Sequence, residues 1–227
     1  MSALPQHVAI IPDGGRRWAK RNDVDLVSGY LKGMEAVEAV VASAASKNIS
    51  FVSFWILAHQ NEKRTPEWRS TFLGLLKQYL RPKCEELFAQ NIAVKIIGDW
   101  QTMDNISQDI EDILKNNPTT PTIIVAFFLR YSGTKDLEQA IEKLIAANDS
   151  PKNIKNYLQT SREGLPDPDL VIRSSDTGDT KRLSDFAMIQ CANSELYFPE
   201  KLWPDFTAED FEEALNWFNT VERRFGK

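Results

Sequence analysis

Val8-Ala9-Ile10-Ile11-Pro12-Asp13-Gly14-Gly15-Arg16-Arg17-Trp18 joins an apolar run to a loop holding an acid, two glycines and two arginines. Val8 to Ile11 predicts a buried strand that Pro12 stops, and a helix-compatible segment resumes after the arginines. That order, strand then glycine-rich loop then helix start, predicts an anion site. Glycines let the backbone approach a ligand, a helix N-terminus offers free N–H groups, and Arg16 and Arg17 add charge-assisted donors. Asp13 is unsuited to phosphate itself. A cation between the carboxylate and a diphosphate reconciles the two, and magnesium has the matching habits. The alternative, on these residues alone, is a strand-to-helix turn with surface arginines and an Asp cap.

Outward from this loop the chain alternates strands with helices. Met34, Val37, Val40, Val41, Ala44 and Ala45 recur at helical spacing from Tyr30 on, Asn48 closes that helix, and Ile49 to Leu57 reads as a second strand. A polar loop, His59 to Thr65, precedes a helix starting near Pro66, which Pro82 is expected to kink rather than end. Ile92 to Ile97 and Thr122 to Leu129 are the next strands, with a helix from Ile106 to Leu114 between them. The run Ile123-Ile124-Val125-Ala126-Phe127-Phe128-Leu129 has no polar alternation, as expected of a strand covered on both faces. Helices over Leu137 to Ala146 and Pro151 to Leu158, short strands at Leu170 to Ile172 and Glu195 to Phe198, and a helix over Ala208 to Val221 complete the series. Ser174 to Thr180 is expected to be a mobile loop. The fold class predicted is α/β, a mainly parallel central sheet flanked by helices, in one domain spanning residues 1–227.

With 227 residues and a formal charge of −5, the chain is ill suited to non-specific nucleic-acid binding, so its clustered arginines fit a small anionic ligand better. Cys84 and Cys191 show neither metal spacing nor a disulfide framework, which fits a reducing, cytoplasmic setting. No apolar run approaches the roughly 18 residues that span a bilayer, and the N-terminus lacks the pattern of a signal peptide.

In a parallel sheet, ligands bind beyond the carboxyl ends of the strands. Four predicted strand ends carry polar groups: Asp13 with Arg16 and Arg17, His59 with Asn61 and Arg64, Arg130 with Tyr131, and Arg173 with Arg182 and Ser184. Arginines from several strands argue for more than one phosphate group, although any one of them taken alone fits a solvated surface charge.

At this point the chain resembles the cis-prenyltransferases, the undecaprenyl diphosphate synthase family, over nearly its whole length. The matching pieces include His7 to Ile11, Asp13-Gly14, Arg17-Trp18-Ala19-Lys20, Asn61, Lys63-Arg64, Ile97-Gly98-Asp99, Pro168 to Arg173, Arg182-Leu183-Ser184, Glu195 to Phe198, Leu202 to Phe206 and Glu222 to Gly226. The resemblance implies that Asp13 helps hold magnesium and assists ionisation of an allylic diphosphate cradled by Gly14 and Arg17, with Gly15, Arg16 and Trp18 beside them. It implies that Arg173, Arg182 and Ser184 grip a second diphosphate and that Glu195 joins the metal or its waters. In the implied homodimer, the partner's tail, with Arg224 and Gly226, closes the site.

The departures fall on ligand segments. The family's usual Asn-Gly is Gly15-Arg16 here, its phosphate-contacting arginine falls on Leu26, and its histidine falls on Tyr30. Pro-Asp-Gly-x-Arg-Arg-Trp is similar to the lavandulyl and cyclolavandulyl diphosphate synthases, which join two dimethylallyl diphosphates irregularly. Isopentenyl and geranyl diphosphate are the other candidate substrates. Arg16 and Arg130 would then replace the charge missing at Leu26 and Tyr30, with Arg64 among the substrate-binding residues. His59 is a candidate base, because an imidazole titrates at roughly 6.5, with Asn61 orienting it; a helix cap or phosphate contact is the alternative role. Glu62 is expected to be solvated. Trp55, Trp68, Phe72, Leu75, Phe127 and Phe128 would line a tunnel or, by default, form plain core. Regular chain elongation and a non-catalytic subunit are the rival functions.

Overall fold

The computed structural model describes residues 4–103, 106–176 and 181–223. Six strands form one sheet: β1 (His7–Ile11), β2 (Phe51–Trp55), β3 (Ile92–Ile97), β4 (Ile123–Phe128), β5 (Leu170–Arg173) and β6 (Glu195–Tyr197), in the order β3-β4-β2-β1-β5-β6. Every pairing is parallel. The α/β class with a parallel sheet and flanking helices is therefore what the chain adopts. Successive residues of β1 face opposite sides: Val8 and Ile10 join the core that contains Phe54, Phe211 and Trp203, whereas Ala9 and Ile11 join the one with Trp55, Phe128 and Phe186. Two-sided burial is why these strands read as unbroken apolar runs.

The helices are α1 (Gly15–Arg21), α2 (Leu26–Ser46), α3 (Pro66–Ala89), α4 (Ser107–Leu114), α5 (Gly133–Ala146), the one-turn α6 (Gln159–Arg162) and α7 (Ala208–Thr220). α2 begins four residues before the expected Tyr30, because Asp25 caps it: its side chain accepts from Ser28 N–H at 2.7 Å. Thr65 caps α3 in the same way, and that helix runs through Pro82 without ending. Residues 151–157, expected to be helical, form a 3-10 segment. No helix among the described residues is long and apolar enough to cross a membrane.

The sheet's amino-terminal edge is pinned by a buried histidine. His7 Nδ1 lies 2.7 Å from the Pro166 carbonyl, to which it donates, and Nε2 accepts from Ser53 Oγ at 2.6 Å. One neutral tautomer satisfies both contacts, and burial pushes the His7 pKa down to about 4.

Candidate active site

Because all strands run the same way, the ends of β1, β2, β4 and β5 open onto one edge, where the chain's polar loops gather. At the end of β1, Gly14 takes φ 104°, a left-handed conformation, and a Cβ there would lie 2.5 Å from Leu202 Cδ2. Only glycine fits this turn. It aims the first turn of α1 at the space beside Asp13, and Trp18 Nε1 fixes the helix by donating to Asp205 Oδ1 at 2.6 Å. Trp18 is therefore seen bracing the cradle.

Asp13 lies between two guanidinium groups. Its Oδ1 is 3.2 Å from Arg17 Nη2 and its Oδ2 accepts from Arg173 Nη2 at 2.9 Å. Ser174, fully buried, accepts from the Asp13 N–H at 2.9 Å and so fixes the backbone. Arg173 also donates through Nη1 to the Arg182 carbonyl at 2.6 Å and to Ser184 Oγ at 2.7 Å, and Arg182 Nε donates to the same hydroxyl at 3.1 Å. The Arg173 Nε is buried with no hydrogen-bond partner among the described residues, a donor in reserve for an anion. Ser184 and Asp185 both take positive φ, and Asp185 holds this bend against α5 by accepting from Thr134 N–H at 2.8 Å and Ser132 Oγ at 2.6 Å. Of the loop expected to be mobile, Ser174 and Ser175 are buried, and residues 177–180 lie outside the described residues.

A second cationic group forms between α1 and α3. The Arg64 guanidinium carbon sits 4.3 Å over the Trp68 ring, and Trp68 Nε1 donates to Tyr30 Oη at 2.8 Å. Burial, then the nearby Arg16 charge, lower the Arg64 pKa. Burial also raises the Tyr30 pKa, against the pull of both arginines. Arg16 has no acidic partner among the described residues, so two like charges approach each other where an anion would relieve them.

The third group sits at the ends of β2, β3 and β4. Lys135 Nζ lies 3.0 Å from His59 Nε2 and donates to Asp99 Oδ2 at 2.9 Å, while Gln139 holds Asp99 Oδ1 at 2.9 Å. Burial would raise the Asp99 pKa, but its bonds to Lys135 and Gln139 outweigh it and hold the carboxyl below its usual value. An ammonium can only donate, so the His59 nitrogen facing it accepts. Arg130, at φ 52°, pairs with Glu62 and donates to the Thr102 carbonyl at 3.0 Å. Glu62 is thus paired with Arg130 and 3.6 Å from His59, not simply solvated.

Two expectations need correction. Asn61 does not orient His59: its Oδ1 accepts from the Ala58 N–H at 3.0 Å and caps the 3-10 turn it belongs to. Glu195 pairs with Leu170 at the start of β5, whereas Arg173 pairs with Ile11 at the end, so the acid lies about 10 Å below the Asp13 edge. Within one chain the two cannot share an ion. Trp55 and Phe128 belong to the core on the opposite face from α2 and α3, in keeping with the default reading of them as plain core. Arg224 and Gly226 lie outside the described residues.

Sequence reasoning missed Ser174, Lys135 and Gln139. Asp99 was visible in the Ile97-Gly98-Asp99 match, but Lys135 and Gln139 come from a helix whose facing direction no periodicity fixed. A groove of about 400 Å3 runs behind the cradle, between α2 and α3, from Pro12, Gly15 and Tyr30 to Lys83, Glu86 and Gln90. Phe72, Leu75 and Phe127 line it.

Residues 11–226 match the family model described as undecaprenyl diphosphate synthase. An isoprenyl transferase of Agrobacterium fabrum is 35% identical, covering 99% of this chain and 93% of the relative. A ditrans,polycis-undecaprenyl-diphosphate synthase, (2E,6E)-farnesyl-diphosphate specific, of Coxiella burnetii is 34% identical over 98% of this chain and 96% of its own. Lavandulyl diphosphate synthase from Lavandula x intermedia, solved with dimethylallyl diphosphate, superposes with a TM-score of 0.91 at 28% identity, 99% of each chain covered. With the family model spanning all but the first ten residues and the last, and relatives above 30% identity matched almost end to end, the chain belongs to the undecaprenyl diphosphate synthase family of prenyltransferases.

Proposed function

We propose that the enzyme joins two short allylic diphosphates, dimethylallyl diphosphate above all, into an irregular, branched or cyclised prenyl diphosphate. The observation that carries this is the Arg16–Arg64 pair, two like charges close enough to oppose each other near Asp13, beside a Tyr30 that has taken the place of the family's histidine. One diphosphate fits between that pair and the α1 cradle. The other fits Arg173, Arg182 and Ser184, where the buried Arg173 Nε has a donor to spare.

Asp13 stands between the two diphosphates, held now by the arginines that would move onto phosphate oxygens. Among the described residues no three His, Cys, Asp or Glu side chains cluster as a metal site. One carboxylate with substrate oxygens completing the shell is the habit of magnesium, so the donor set fits that ion and not a protein cage. Magnesium bound there would neutralise the departing diphosphate. The chain's own part is to hold the donor carbon against the acceptor and keep water out.

The C1–oxygen bond of the donor breaks and diphosphate leaves with the electron pair. Carbon 2 of the acceptor's double bond attacks C1, and the tertiary cation that results loses a proton. His59 has Lys135 on its Nε2, so accepting that proton would place two cations 3.0 Å apart. The released diphosphate, gripped by arginines, is the acceptor in this reading, and His59 with Lys135 forms a polar wall beside it. We further propose a homodimer working from the cytoplasm.

A second reading is favoured by one observation. The apolar groove between α2 and α3 offers room for a chain longer than five carbons, which suits regular elongation with isopentenyl diphosphate. Incubation with dimethylallyl diphosphate alone separates the two. Irregular coupling gives a ten-carbon diphosphate without isopentenyl diphosphate; product formed only when isopentenyl diphosphate is added overturns it.

A further inference from the structure

Aromatic side chains stand where the groove meets the cradle. On α2 the groove extends from Gly29 to Ala42, and so over about 20 Å of helix. Tyr30 is at the cradle end: its Cε1 would lie 3.8 Å from a Cβ on Gly15, so the ring stands over the first residue of α1. From there it reaches α3. Its hydroxyl accepts from Trp68 Nε1 at 2.8 Å, its ring meets Phe72 edge-on at 5.8 Å, and Trp68 stacks on Phe72 at 5.2 Å. Trp68 itself does not line the groove, which lies on the far side of this bar. Arg64, over the outer face of the Trp68 ring at 4.3 Å, ties the bar to the anion-binding pair.

We infer that the Tyr30–Trp68 hydrogen bond is a bolt across the mouth of the groove, and that it sets how long an allylic tail the site accepts. A five-carbon tail stays on the cradle side, in contact with the Tyr30 ring. A longer tail must displace the ring and break the bond before it reaches the apolar lining formed by Val37, Val41, Leu76 and Leu80. The occupant is fixed by continuity: Pro12 and Gly15 border both the cradle and the groove, so only a chain attached to a cradle-bound diphosphate enters from this end. The residues that limit length are therefore at the entrance, while the groove's capacity is unused.

This inference deepens the short-substrate reading but is tested without turnover. The probes are non-hydrolysable thiolo-diphosphate analogues carrying five-carbon and fifteen-carbon allylic tails, titrated calorimetrically with magnesium into the wild type and into the variants Tyr30→Phe and Trp68→Ala. Tyr30→Phe keeps the ring and removes only the bond; Trp68→Ala removes the bar's outer half. The expected result is that the preference for the fifteen-carbon over the five-carbon analogue rises at least about tenfold in Trp68→Ala, because more apolar surface is then buried, and less in Tyr30→Phe. An unchanged preference in a folded Trp68→Ala protein overturns the bolt, as does a wild type that already prefers the fifteen-carbon tail. If Trp68→Ala does not fold, Trp68→Phe takes its place and must shift the preference the same way. A failed dimethylallyl-only reaction would sink irregular coupling and leave this ratio to be read by itself.

Discussion

Asp13 is the residue on which the two proposed anion sites converge, and its neighbours decide what removing it does. The carboxylate is bonded to Arg17 and Arg173, each of which the proposed chemistry needs for phosphate. Asp13→Ala takes away the carboxylate proposed to stand between the two diphosphates and is expected to cut turnover by roughly 10² or more, as loss of a preorganised charge commonly does. It should have the opposite effect on metal-free anion binding. Without the carboxylate, a negative charge that competes with the anion is gone from between Arg17 and Arg173, so inorganic diphosphate in the presence of a chelator should bind several-fold more tightly. Calorimetry reads this directly, and equal or weaker binding would remove Asp13 from the diphosphate site. The same residue shows how far sequence goes at this scale. Asp13, Gly14 and Arg17 were legible because a strand end, a proline and two glycines fix where they must lie. Asn61 and Glu195 were not: a cap is decided by which backbone N–H lies within reach, and the register of β6 by pairing with β5.

Among the elements, β1, β2 and the turn before β5 are fastened together by His7, and its protonation state couples that junction to pH. The folded pKa is about 4 and the ordinary value 6.5. Between these values the unfolded chain holds a proton that the folded chain does not. The contribution is full above pH 6.5, declines as pH falls toward 4, and amounts at most to about 3 kcal/mol. His7→Gln, which has no charge to gain, is expected to be less stable than the wild type at pH 7 and to lose less stability between pH 7 and pH 4.5. Denaturant midpoints at the two pH values test this; parallel losses in both proteins would exclude His7 as the source. The strands themselves were readable as apolar runs because they are buried on both faces. The start of α2 was placed late because Leu26 and Val27 precede the regular repeat, and the cap at Asp25 marks the true boundary. The kink expected at Pro82 was compatible with a helix that the apolar stripe through Cys84 and Leu87 carries on to Ala89.

At the scale of the whole molecule, one edge of the sheet carries the proposed diphosphate sites, and the proposed homodimer needs a surface of its own. α5 presents Ile141 and Ile145 four residues apart, 43% and 69% exposed, on a helix whose other side packs inward through Ala140 and Leu144. Paired apolar groups of that exposure fit a subunit contact. If the C-terminal residues that carry Arg224 and Gly226 serve the partner's site, two inactive variants should rescue each other. Asp13→Ala spoils a site but keeps a good tail; a chain ending at Arg223 keeps a good site but lacks the tail. In a mixed dimer, the truncated chain's site receives the tail of the Asp13→Ala chain and works. After the two variants are unfolded together and refolded in equal amounts, half of the dimers are mixed and one site in each is complete, so activity should return to about a quarter of the wild type. A tail that served its own chain would leave every site in the mixture broken and give no rescue. A control with Ile145→Arg in both chains, which charges the α5 face, should abolish the recovery and lower the mass in solution to that of one chain.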